Sequence, residues 1–177
     1  SNINSFGKLA MAGYGAYSKL EGFAFLPITS FTMALTTYTG QNLGAMQYDR
    51  AKKGARFGIL VSITLAELIG VGMYVFAPQL ISIFTPTPEV IALGTQQART
   101  IALFYCLLAY SHAVASVCRG AGKAFVPMTI MLATWCALRI VYITTVMHIV
   151  HEIQYIYWAY PLTWSVSSVI YFIYYHR

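Results

Sequence analysis

Charge is what this sequence has least of. Asp, Glu, Lys and Arg make up 9% of its 177 residues, five acidic against eleven basic, where soluble domains average roughly 25%. So few charged groups cannot coat a globule of this size, which excludes an ordinary soluble enzyme domain. A hydrophobic fraction of 58% equally excludes a disordered tail, which needs low hydrophobicity and high charge. The net charge is +6, but the basic residues are few and clustered, a poor footprint for nucleic acid. Cysteine is scarce too. Cys106, Cys118 and Cys136 sit in apolar runs without CxxC spacing, so neither a disulfide framework nor a zinc knuckle fits. They read as small buried hydrophobes.

What is present is long apolar runs. A membrane span needs about 20 mostly apolar residues, and five such pieces can be cut: about 17–38, 57–84, 100–118, 125–148 and 153–175. They are too long and too continuously apolar for the short alternating strands of a membrane β-barrel. The expected fold is an all-α, polytopic helix bundle forming a single lobe over residues 1–177.

The connections carry orientation. The stretch from Asp49 to Arg56 holds four basic residues, Arg119 and Lys123 follow the third span, and Arg177 closes the chain. The stretch from Thr85 to Arg99 and the turn from His148 to Gln154 are poorer in them. Basic loops stay in the cytoplasm, so the start is expected outside and the end inside, with Lys8 as a slight dissent. Ser1 stands first and no signal-peptide pattern follows. The expectation is a piece of a longer polytopic protein, with at least one more helix upstream.

Some residues interrupt the spans. Pro27 removes a backbone donor and should kink its helix, as passive packing or as a transport hinge. The hydroxyls of Thr29, Ser30 and Thr32 follow and are of the type that satisfies freed carbonyls. Pro161 lies inside the fifth span, and Pro127 belongs in the first turn of the fourth helix, where proline is harmless. Gly70, Gly72, Ala109, Ala113 and Ala115 permit close helix approach.

Ionisable groups at membrane depth are costly and therefore candidates for function. Four stand out: Glu21, Glu67, His112 and Arg139. Glu21 shares a helix face with Tyr17 and Phe25 one turn to either side. In a cavity it would carry a proton, a sodium ion or a cationic substrate; at the rim it would be a hydrated carboxylate. Tyr17, Phe23 and Phe25 offer ring faces to an organic cation. Glu67 reads as a structural partner of Arg139 or His112, because a buried Arg cannot shed its charge. His112 reads as a packing histidine or a proton relay. His148, His151 and Glu152 run H-x-x-H-E rather than the H-E-x-x-H of zinc proteases, and no metal site is expected. The segment Arg119-Gly120-Ala121-Gly122-Lys123 lacks the spacing and the preceding strand of a phosphate-binding loop and reads as a tight turn.

Two stretches carry a family resemblance. Gly40-Gln41-Asn42-Leu43-Gly44-Ala45 leads into Tyr48-Asp49-Arg50-Ala51, and Cys118-Arg119-Gly120-Ala121-Gly122-Lys123 is followed by Pro127. With Lys19-Leu20-Glu21-Gly22-Phe23, Pro27 and the spacing of the spans, they resemble the multidrug and toxic compound extrusion (MATE) family over nearly the whole chain. The resemblance implies the second lobe, helices eight to twelve, of a twelve-helix transporter. It implies a plasma-membrane antiporter, not an enzyme, that exports organic, often cationic, compounds in exchange for protons or sodium ions, without a bound cofactor. The implied partners are the small organic substrate, membrane lipid and the missing N-terminal lobe. In several branches the second lobe uses carboxylates on its first and fourth helices. Here the first helix is absent and the fourth, at 100–118, has no Asp or Glu, which leaves Glu21 as the cavity candidate. Gln41 and Asn42 are expected to cap a helix. The alternatives are a lipid-linked-sugar flippase of the same superfamily, hinted at by Arg139 and Lys19, and a non-catalytic membrane subunit.

Overall fold

A computed structural model describes residues 6–150 and 152–176. Among these the regular structure is helical throughout: α1 (Lys8–Gly44), α2 (Tyr48–Val75), α3 (Ala77–Ser82), α4 (Pro88–Ile101), α5 (Tyr105–Gly120), α6 (Phe125–Met131), α7 (Arg139–Ile149) and α8 (Ile153–His176). A 3-10 turn, Ala102–Phe104, joins α4 to α5, and a π-helical stretch, Leu132–Leu138, joins α6 to α7. The described residues therefore make five long rods and one short helix. Three rods, Tyr48–Val75, Pro88–Gly120 and Phe125–Ile149, are long and apolar enough to cross a membrane. In α1 and α8 the serines, threonines and tyrosines dilute the apolar content.

The rods depart from the expected spans in three places, each for a local reason. Residues 49–56, a basic loop by composition, instead form the first turns of α2, and the connection shrinks to Ala45–Gln47. The apolar run 57–84 is divided at Phe76, because Pro78 cannot donate the next helical hydrogen bond. The Tyr74 carbonyl left free accepts a bond from Arg99 Nε at 3.4 Å. The stretch from Thr85 to Arg99 also reads as a loop in the sequence, but residues 88–101 are helical. Thr87, Pro88 and Glu89 form a helix start: proline at the first helical position suits its fixed φ, and an acidic first turn suits the helix dipole.

Two helix ends share one backbone pattern. After α5, Lys123 N–H bonds Cys118 O at 2.9 Å and Gly122 N–H bonds Arg119 O at 3.0 Å, with Gly122 at φ 76°. After α1, Gln47 N–H bonds Asn42 O at 2.8 Å and Met46 N–H bonds Leu43 O at 3.0 Å, with Met46 at φ 56°. Both are Schellman caps closed by one left-handed residue. The backbone carbonyl of Asn42, rather than its side chain, closes the α1 cap; its amide instead donates to Tyr38 O at 2.7 Å.

Small residues set the packing. Gly40 and Gly120 bring α1 and α5 into backbone contact. Gly70 of α2 faces the Ala102 carbonyl in the 3-10 turn so closely that a methyl group has no room, whereas Gly72 faces open space and takes no part. Ala109, Ala113 and Ala115 are buried on α5. The core therefore lies between α1, α2 and the α4–α5 rod, with Tyr17, Ile28, Ala66, Tyr105 and Trp164 in one cluster. α8 packs on α5, and the α6–α7 rod lies outermost, with no buried residue in α7.

Candidate functional site

α1 runs helically through Pro27, and one turn before that proline it meets α5, α8 and the π-helical stretch around a cavity of about 320 Å³. Ser18, Glu21, Gly22 and Phe25 line it from α1, Leu108 and His112 from α5, and Tyr160 and Trp164 from α8. Trp135 and Arg139 complete the wall from the π-helical stretch and the start of α7. Wide π turns recur at functional sites, and this one carries Trp135 and leads directly into Arg139.

Glu21 is half-buried and held on one side. The Tyr17 hydroxyl donates to Glu21 Oε1 at 2.9 Å and lies 3.0 Å from the Tyr105 hydroxyl. Tyr17 is 1% exposed and lies behind the carboxylate rather than on the cavity wall. Its ring face is thus closed to a substrate, and its role is to position Glu21. Phe25 does line the cavity, edge-on to Tyr105 at 5.6 Å between centroids and 5.9 Å from His112. Phe23 points away and is exposed. His112 packs between Phe25 and Trp135, the latter at 5.3 Å.

Arg139 takes a place different from the expected pairing with Glu67. Its Nη2 donates to Thr163 Oγ1 at 2.8 Å, and its guanidinium lies 4.3 Å from the centre of the Tyr160 ring. Tyr160 is held in turn by the Tyr14 hydroxyl at 2.7 Å. Nε of Arg139 is buried and has no hydrogen-bond partner among the described residues. The cavity thus carries both signs of charge, Glu21 on α1 and Arg139 on α7. Glu67 lies on α2 outside the cavity lining; it neighbours Cys106, and its Oε2 is buried without a partner among the described residues. α2 contributes no residue to the cavity lining, and its buried face is built largely from small residues.

Trp164, Tyr160 and the Ser111–Ser167–Ser168 cluster escape sequence reasoning. Ser111 Oγ lies 2.9 Å from Ser167 Oγ and 3.2 Å from Ser168 Oγ, and Trp135 Nε1 donates to Ser167 at 3.2 Å. The cluster ties Trp135 to α5 and α8. The only sequence signal for it is serine spacing inside an apolar run, which ordinary packing also produces. At the other end of the bundle, His148 lies in the last turn of α7 and Glu152 precedes α8, while His151 lies outside the described residues. Among the described residues no three His, Cys, Asp or Glu side chains gather as a metal site.

Comparison with known proteins agrees with the fold. Residues 2–145 match the MatE family. The probable multidrug resistance protein YoeA of Bacillus subtilis is 23% identical over 176 residues, 99% of this chain and 38% of that protein. The probable multidrug resistance protein NorM of Thermotoga maritima is 28% identical over 132 residues, 74% of this chain and 28% of that protein. The crystal structure of the Vibrio cholerae MATE transporter VcmN in the bent form superposes with a TM-score of 0.88 at 22% identity, covering 99% of this chain and 40% of that one. The chain thus spans well under half the length of the curated relatives it matches.

Proposed function

We propose, since the chain belongs to the MatE family, that it forms one lobe of a secondary antiporter, a transporter rather than an enzyme. In this reading it exports small organic compounds in exchange for protons or sodium ions, and Glu21 is the group at which substrate and coupling ion compete. The observation that carries the proposal is a carboxylate in an aromatic cavity, with one oxygen fixed by Tyr17. The carboxylate faces the cavity, where a cation can reach it. An ammonium group held by Glu21 would rest against the rings of Phe25, Trp135 and Trp164, whose faces attract positive charge. Binding of the coupling ion at the same carboxylate would release it.

A ligand moves a conformational equilibrium only by binding its two states unequally. The rearrangement that makes Glu21 unequal is proposed to occur about Pro27, where α1 lacks a backbone bond and the Thr29 hydroxyl bonds the carbonyls of Phe25 and Leu26 at 3.2 and 2.9 Å. The cavity is completed by a second lobe, and the protein resides in the plasma membrane with its basic end in the cytoplasm. Glu21→Gln, in the whole transporter reconstituted in vesicles, is expected to abolish efflux of a fluorescent organic cation driven by a proton or sodium gradient. Undiminished driven efflux would remove Glu21 from the coupling role.

A further inference from the structure

We infer that the basic end of the bundle holds a binding site for the phosphate headgroup of an anionic phospholipid, built between α1, α2, α5 and α8. The site is separate from the Glu21–Arg139 cavity, and the antiport reading does not require it.

A pocket of about 450 Å³ lies at that end. Lys52 and Arg56, one turn apart on α2, line it together with Tyr175 and His176 from the end of α8. Among the described residues no carboxylate lines it, and Asp49 in the first turn of α2 stands outside the lining. The two cations are therefore not offset within the pocket. At the helix ends that meet here, the last carbonyls of α1 and α5 are already occupied: those of Asn42, Leu43, Cys118 and Arg119 accept the N–H bonds of the two Schellman caps. They are not free to repel an anion.

A second observation comes from Thr39, which lines the same pocket from α1. It is 2% exposed, and its Oγ1 is buried without a hydrogen-bond partner among the described residues. The other threonines of α1, at positions 29, 32, 36 and 37, each bond a carbonyl one turn back. Thr39 departs from that habit, and a buried hydroxyl without a partner is costly. Two cations beside an unpartnered hydroxyl suit an oxyanion, and the planar fork of an arginine matches phosphate oxygens.

The rest of the wall decides which phosphate. Leu43, Val117 and several alanines make it, an apolar surface on which the glycerol and first methylenes of a lipid can rest. The pocket also sits where the long rods end, at the level of the headgroups, and basic pockets between spans at that level receive anionic lipids. A small soluble phosphate would gain nothing from the apolar wall.

The test uses the purified whole transporter in a neutral detergent. Fluorescence anisotropy follows its binding of phosphatidylglycerol labelled on one acyl chain, and of phosphatidylcholine with the same label, whose choline cancels the phosphate charge. Phosphatidylglycerol is expected to bind about tenfold tighter. Lys52→Gln together with Arg56→Gln is expected to bring the ratio of the two constants to about one. Arg50→Gln together with Lys53→Gln removes the same charge from the same turns of α2 but outside this pocket, and is expected to leave the ratio unchanged. A ratio is insensitive to a uniform loss of folded protein. A ratio near one in the wild type, or equal loss in the two paired variants, would overturn the inference. So would displacement of the labelled lipid by millimolar glycerol 3-phosphate at matched ionic strength, which would assign the site to a soluble phosphate. Binding is read without an ion gradient. Loss of the lipid preference therefore leaves the antiport reading standing, and undiminished efflux in Glu21→Gln leaves this inference standing.

Discussion

The two Schellman caps place one chemical question at two residues. Gly122 and Met46 occupy the same backbone position, the left-handed residue that closes a helix, but only one of them is glycine. A side chain in that conformation costs on the order of 1 kcal/mol relative to glycine. Met46 is 77% exposed, so its side chain contributes no packing to set against that cost. Met46→Gly is expected to raise the stability of the purified protein by roughly 1 kcal/mol, and Gly122→Ala to lower it by a similar amount. Thermal unfolding in detergent followed by tryptophan fluorescence reads both; a destabilised Met46→Gly would show that the α1 cap is held by contacts of the methionine itself. The G-Q-N-x-G-A stretch announces a helix end in the sequence, but not which residue turns left-handed, because that depends on hydrogen bonds to carbonyls three and five residues back. In the same way the Tyr17–Glu21 spacing shows that the two share a face, but not that Tyr17 lies behind the carboxylate. That follows from Tyr105, 88 residues away in the chain.

At the scale of elements, the third rod is shaped by what touches it. The 3-10 turn at Ala102–Phe104 sits where Gly70 of α2 meets the Ala102 carbonyl, a backbone-to-backbone approach that only a residue without Cβ allows. Gly70→Ala should therefore force α2 away from the third rod and cost about 1–3 kcal/mol, as overpacking does. Gly72→Ala, two residues on and facing open space, should cost nothing, since alanine is the better helix former. Equal behaviour of the two variants in thermal unfolding would refute the contact. Both glycines look alike in the sequence; the third rod alone distinguishes them. The limits of the rods were legible where punctuation is strong. Pro127 falls in the first turn of α6, and the Arg119–Lys123 turn appears as a turn. The Thr87-Pro88-Glu89 start was equally explicit but outweighed by the polar residues after it, which α4 carries on a helix too polar to signal a span. The π-helical stretch at Leu132–Leu138 has no sequence signature at all, and with it Trp135 and Arg139 enter the cavity together.

At the scale of the molecule, helix packing fixes which termini share an end. Gly40 against Gly120 places the α1–α2 turn beside the α5–α6 turn, and a pocket shared by Arg56, Ala121 and Tyr175 brings the end of α8 to the same place. Arg50, Lys52, Lys53, Arg56, Arg119 and Lys123 therefore gather at one end of the bundle. Glu89 begins α4 after the second rod has crossed to the other end. The excess of Lys and Arg in short connections sets orientation in a membrane, so the basic end is expected in the cytoplasm. Single cysteines test this in a background where Cys106, Cys118 and Cys136 are replaced by alanine. Lys123→Cys should react with a membrane-impermeant maleimide only after the cells are permeabilised, and Glu89→Cys in intact cells. Both positions are exposed at rod ends, so failure to label would not stem from burial within the bundle. The reverse pattern would invert the lobe and put the basic cluster outside. It would leave the Glu21–Arg139 cavity intact, because the cavity depends on contacts within the bundle and not on which way the bundle faces.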